Sequence, residues 1–138
     1  MVPFKVNERL TYDVSWSSFL TAGTAVMTVT EKKPSFNSTA YYIVAEGKPN
    51  ALVARLYTLY YKMDTLLDSY PLLSQRGSLY SEEGTERRTL STRFDRGARK
   101  AFFENQSGTT TRSTLDVPAG TQDGLAALYG LRTRALKP

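Results

Sequence analysis

The sequence predicts a mainly β fold: a curved antiparallel sheet or incomplete β-barrel with one or two short helices packed on it. Three observations predict it. Apolar and polar residues alternate with a period of two over several stretches, the pattern of a half-buried strand. The gaps between those stretches have hairpin length, so neighbouring strands run antiparallel. Aromatics make up 12% of the chain, with nine Tyr, and Tyr and Thr favour strands. At 138 residues the chain is long enough for one domain with a real core and too short for two ordinary ones. Residues 1–138 therefore read as a single β-rich domain.

The elements follow in order. In "ERLTYDVSW", Leu10, Tyr12, Val14 and Trp16 alternate with Arg9, Thr11, Asp13 and Ser15, which gives a first strand. "SSFLTAG" reads as its connection, and "GTAVMTVTEK" as a second strand with Ala25, Met27 and Val29 on one face. Lys32 to Ser35 with Asn37 and Ser38 mark a turn, and "TAYYIVAEG" is the third strand. Over 48–68 the period changes. Asn50 can cap a short helix over about 50–56, in which Leu52 and Leu56 share a face. Alternation then resumes at Tyr57, Leu59, Tyr61 and Met63.

Three further strands are predicted at "LLSQRGSLYS", "ERRTLSTRFD" and "KAFFENQ". Turns at Glu82-Glu83-Gly84 and Arg96-Gly97-Ala98 separate them, with Gly supplying the positive φ that such turns often need. "SGTTTRST" is polar throughout and reads as a loop. After Pro118 a helix is predicted over about 121–132, capped by Thr121, with Leu125, Leu128 and Leu131 as its buried face. The expected total is six or seven strands and two helical pieces.

Three aromatic doublets carry the functional reading. Tyr41-Tyr42, Tyr60-Tyr61 and Phe102-Phe103 each lie within a predicted strand. Adjacent strand residues point to opposite faces, so each doublet sets one ring on either side of the sheet. A sheet solvated on one side would confine its apolar groups to the other. Both faces are therefore expected to be covered, one by the helices and the other by further strands or a ligand. Trp16, Tyr42, Tyr60 and Phe102 are the candidate lining of an apolar ligand site, against the alternative that Tyr and Phe are simply good strand residues and that Tyr tolerates exposure.

Composition removes many chemistries. The chain has no Cys and no His, so it cannot supply a thiol nucleophile, an imidazole base, a disulfide or a thiolate or imidazole zinc site. Phosphate-loop and dinucleotide glycine motifs are missing, as are G-x-S-x-G and S-x-x-K. No cofactor or metal is expected. The carboxylate pairs Glu82/Glu83 and Asp64/Asp68 keep one enzymatic alternative open, a carboxylate-dependent hydrolase.

The net charge of +5 is unevenly placed. Residues 1–69 hold seven basic and six acidic groups, net +1; residues 70–138 hold eleven and seven, net +4. The densest stretch is "ERRTLSTRFDRGARK". Arg87, Arg93, Arg99 and Lys100 are the candidate contacts for an anionic partner such as lipid head groups, against the alternative of a solvated hairpin with locally paired charges. No nucleic-acid signature accompanies the charge, and no nucleic acid is expected.

Four stretches, "VPFKVNERLTYDVSW", "AGTAVMTV", "LYTLYYKMDTLLD" and "TQDGLAALYGLRT", taken in order over essentially the whole chain, resemble the DUF3108 family of domains of unknown function. The resemblance implies a bacterial exported protein, periplasmic or envelope-associated, with a largely antiparallel β fold and no established enzymatic activity. It also implies that further strands follow the last helix, so the chain resembles the first portion of a longer domain. Met1 leads into Val2-Pro3-Phe4 without a basic and apolar prelude, which fits a mature domain whose signal peptide has been removed. Asn7 stands where the family tends to have Gly, and Asn tolerates left-handed backbone.

The functional expectation is a non-catalytic envelope protein that binds an apolar or amphiphilic, lipid-like ligand. Its alternative is an envelope protein-interaction scaffold. An open sheet edge would also allow self-association.

Overall fold

The computed structural model describes residues 4–17, 20–35, 38–70 and 72–132. Eight strands follow one another: β1 (Arg9–Ser17), β2 (Leu20–Ser35), β3 (Ser38–Pro49), β4 (Leu59–Asp68), β5 (Ser74–Glu83), β6 (Glu86–Asp95), β7 (Lys100–Ser107) and β8 (Thr109–Asp116). Each pairs antiparallel with the next in a single sheet of order β1 to β8. The sheet does not close into a barrel, because β1 and β8 each pair on one side only. Helix α1 (Ala51–Leu56) interrupts the passage from β3 to β4, and α2 (Gly124–Leu131) follows β8.

Alternation gives the sheet two unlike faces. Met27, Tyr41, Ile43, Ala45 and Met63 point to the side on which α2 lies, hereafter the helix face. Their neighbours Tyr42, Asp64 and Ser78 hydrogen-bond to one another on the other side, the polar face. On the helix face α2 crosses β4, where Leu125, Ala126 and Tyr129 pack against Val29, Ile43 and Leu67. Phe4 completes the core with its ring edge-on to both Tyr41 and Tyr129, at 5.1 Å from each. Burying one such ring is worth about 1.5–3 kcal/mol.

What fixes α2 in place is a buried polar clamp rather than apolar burial alone. Asp123 is the N-cap: its Oδ1 accepts from Ala126 N–H at 2.9 Å. Its Oδ2 accepts from Thr65 at 2.8 Å and Ser74 at 2.5 Å, both of them buried hydroxyls of the sheet. Gln122 adds a reciprocal pair, accepting from Ser74 N–H and donating to the Leu72 carbonyl. Arg96 reaches over from the end of β6 to donate to the carbonyls of Thr121 and Ser74 at 2.6 Å each, with its guanidinium on the Phe94 ring. Burial lowers the Arg96 pKa from its usual value. The carboxylate of Asp123 fits only because residue 77 is Gly, since a Cβ there would lie 2.5 Å from Oδ2.

The N-terminal segment is strapped to the same helix. Asn7 takes φ +75°, the left-handed backbone its side chain tolerates, and its N–H donates to the Val29 carbonyl. Glu8 then meets Arg132, just past α2, in a two-pronged ion pair of 2.5 and 3.0 Å. That bond holds the Glu8 carboxyl below the usual carboxylate range.

Several expectations are corrected. "SGTTTRST" is not a loop; it forms most of β8, every residue of which is exposed. An all-polar strand has no apolar face to show a period, and β8 is held by its backbone ladder to β7 and by Thr propensity. The strand count among the described residues is accordingly eight. Lys32 to Ser35 continue β2 instead of turning. The buried face of α2 is Leu125, Ala126 and Tyr129, while Leu128 and Leu131 are exposed. Its cap is Asp123, and Thr121 bonds to the Pro118 carbonyl instead. Asn50 does cap α1 through Val53 N–H, yet Leu52 and Leu56 face solvent. In the turn between β6 and β7 the left-handed residue is Arg99, not Gly97.

Candidate functional site

The doublets straddle the sheet as the alternation requires. Tyr41, Tyr61 and Phe103 lie on the helix face; Tyr42, Tyr60 and Phe102 lie on the polar face. There each ring meets charge. The Tyr42 hydroxyl donates to Asp64 at 3.0 Å, and Lys33 lies over its ring at 4.9 Å. Burial raises the Tyr42 pKa, and the Asp64 carboxylate raises it further. Tyr60 donates to Glu46 at 2.6 Å, a bond that pushes its pKa up to about 12. Phe102 is covered by the Arg93 guanidinium at 4.5 Å.

These three residues are not brought together. Tyr42 lies opposite Leu66 and Tyr60 six residues away along β4, about 20 Å at strand rise. Phe102 is three strands from Tyr60, or about 14 Å at ordinary strand spacing. Trp16 belongs to β1, and its side chain lies outside the described residues.

The helix face, in contrast, holds an apolar cavity of about 220 Å³ where the ends of β1 to β4 meet α1. Val14, Pro49, Val53, Leu59 and Tyr61 wall it, and Gly23 and Gly47 form its floor. Those two glycines explain the hollow, because neither strand puts a side chain there. They differ in one useful way. A Cβ on Gly23 would collide with the backbone carbonyl of Lys48, whereas one on Gly47 would meet only Tyr61 Cβ at an ordinary 3.8 Å. Val14, one of the wall residues, is itself about half exposed, so the hollow opens to solvent along β1.

Sequence reasoning missed this cavity. The signal was present in Gly23 and Gly47, each within an apolar strand, but the pairing that sets them side by side involves Gly23 with Pro49 and Ala25 with Gly47.

The candidate anion contacts separate into paired and unpaired. Arg87 bonds Glu82 at 2.9 Å, and Lys100 bonds Asp116 at 2.6 Å. Arg99 sits in the turn before β7. Arg93 stacks on Phe102 and has no carboxylate in ion-pair range among the described residues. The carboxylates are likewise engaged one at a time. Asp64 accepts from Tyr42 and Ser78, Asp68 from Tyr70 N–H and Gln75, and Glu83 from Tyr61. Neither Asp64/Asp68 nor Glu82/Glu83 converges on a shared cleft, and the described residues contain no group of acids able to hold a metal ion.

Comparison with known proteins gives one match. The family model described as "Protein of unknown function (DUF3108)" covers residues 11–138, nearly the whole chain, and the chain belongs to that family. No curated protein and no solved structure matches.

Proposed function

We propose that this DUF3108 protein is a non-catalytic component of the bacterial envelope, periplasmic or membrane-associated, that binds an apolar or amphiphilic ligand in the cavity between the β1–β4 ends and α1. The observation that carries the reading is the hollow itself, apolar on nearly every side and walled by Val14, Val53, Leu59 and Tyr61. At about 220 Å³ it falls below the roughly 300–1,000 Å³ of sites that enclose a whole drug-sized ligand. It therefore takes the tail of an amphiphile and leaves the remainder on the rim. The engaged state of every acid pair favours binding over hydrolysis.

Gly47→Val tests this. A Cβ at this position meets only Tyr61 Cβ, at an ordinary 3.8 Å, and Val suits a strand. The wild-type domain should bind the neutral fluorophore N-phenyl-naphthylamine, and should carry a lipid-sized mass in native mass spectrometry after export to a bacterial periplasm behind an added signal peptide. Gly47→Val should lose both at an unchanged melting temperature. Equal binding by Gly47→Val would remove the cavity as the site, and a clean apo mass with no fluorophore binding would remove the reading. An interaction scaffold is the second reading, favoured by β8, an edge strand exposed along its entire length and open to strand addition.

A further inference from the structure

On the polar face, β5 to β8 enclose a groove of about 490 Å³ with a very different lining. Its charged residues are Arg76, Arg93, Arg112 and Glu104. Arg112 and Glu104 neutralise one another at 3.0 Å, and Gln106 donates to the same carboxylate. Arg76 and Arg93 are left over. They stand directly opposite one another across β5 and β6, so their Cβ atoms are about 4.5–5.5 Å apart. Neither has a carboxylate in ion-pair range among the described residues. The acids around them are engaged elsewhere: Asp64 accepts from Tyr42 and Ser78, Asp68 from Tyr70 N–H and Gln75, and Asp95 from Ala98 N–H.

Two like charges placed opposite in a ladder destabilise it. A sheet optimised only for stability would put an acid at one of the two positions, as it does at Glu82–Arg87 and Glu104–Arg112 on the same face. The Arg93 guanidinium is moreover held over the Phe102 ring at 4.5 Å, which lowers the entropy lost when its fork engages a ligand. Hydroxyls of Ser91 and Thr114 line the same groove. The volume lies within the range of small-ligand sites.

We propose that this groove is a binding site for a phosphate-type oxyanion, with Arg76 and Arg93 as its two cationic arms and Phe102 as the residue that positions Arg93. Guanidinium forks match phosphate oxygens in pairs, and two uncompensated positive charges favour the doubly charged monoester over a singly charged diester. The site is independent of the apolar cavity, which opens on the opposite face of the sheet. The oxyanion could be a free phosphate monoester or the phosphate of a lipid head group; the groove reads the chemistry the two share.

The test is titration of the protein with phenyl phosphate and, separately, with vesicles of phosphatidylglycerol against vesicles of phosphatidylcholine alone, in low and high salt. Phenyl phosphate should shift the arginine side-chain and Phe102 resonances, and the affinity should fall about tenfold or more in Arg76→Ala and in Arg93→Ala. Arg87→Ala, whose partner is Glu82, should leave it unchanged. Binding of phosphatidylglycerol vesicles alone, lost in the same two variants, would support the site and identify a lipid source. Binding that survives both variants would overturn the proposal, as would no Arg-dependent binding of either probe. Should a variant fold poorly, the wild-type shift map still decides: perturbations centred away from β5–β8 overturn the assignment.

Discussion

Gly77→Ala should cost far more than a methyl group in a strand usually does. The added Cβ would lie 2.5 Å from Asp123 Oδ2 and 2.9 Å from its Cγ, well inside contact distance. The carboxylate cannot swing aside freely, because Ala126 N–H, Thr65 and Ser74 all hold it. Displacing it forfeits the helix cap, worth about 1 kcal/mol. It also loses hydrogen bonds from buried hydroxyls to a charged acceptor, about 1.5–3 kcal/mol. Thr65 and Ser74 retain their mutual contact at 3.1 Å, which moderates the loss, so Gly77→Ala should destabilise by about 2–4 kcal/mol. Asp123→Ala removes the same interactions and should cost a similar amount. In the double variant the carboxylate clash is gone and only a tight 3.3 Å contact with the Cβ of residue 123 remains, so the cost should lie close to that of Asp123→Ala alone, a coupling of about 2 kcal/mol where independent sites add within about 0.5 kcal/mol. Urea unfolding with linear extrapolation measures all four corners of the cycle. Simple additivity would falsify the account of α2 docking given above.

Two further predictions concern ionisation. Arg132 holds the folded-state pKa of Glu8 below its usual 4.5, so this contribution is present above that value and is lost as pH falls through the lower, folded one. Glu8→Gln should therefore be less stable than wild type by about 1 kcal/mol at neutral pH, as for a good ion pair near the surface, with the gap closing at pH values below the folded pKa; a gap that persisted in acid would assign the effect to packing. Several phenols are raised, among them Tyr42, Tyr61 and Tyr129, and Tyr60 titrates at about 12; in ultraviolet titration Glu46→Gln should move one late-titrating phenol from there towards 10. No change in the titration on that substitution would disprove the 2.6 Å bond as the cause.

Local periodicity made most of the sheet readable. β6 falls at "ERRTLSTRFD" without a residue's error, and the doublets divide between the faces as strand geometry demands. Asn50 announced α1. What could not be read was set by partners distant in sequence. The roll of α2 is fixed by Asp123 meeting Thr65 and Ser74, 58 and 49 residues away, so the stripe chosen from spacing alone, Leu125-Leu128-Leu131, had the wrong phase. β8 was invisible because its order comes from the ladder to β7 and not from a buried face. The doublets said that each face holds rings, but not that the helix would choose the side of Tyr41 and Met63. That choice decides which candidates are apolar and which sit among acids.

The same alternation gives the two proposed sites a common origin. A strand that puts Tyr61 towards the apolar cavity necessarily puts Tyr60 towards Glu46, and one that puts Phe103 on the helix face puts Phe102 under Arg93. α2 crosses β4 and covers the middle of one face only, leaving the apolar hollow at the β1–β4 ends open. The excess of Arg in residues 70–138 supplies Arg76 and Arg93, both on the opposite face. One untwinned sheet can thus hold an apolar ligand on one side and an oxyanion on the other, with no residue shared between them.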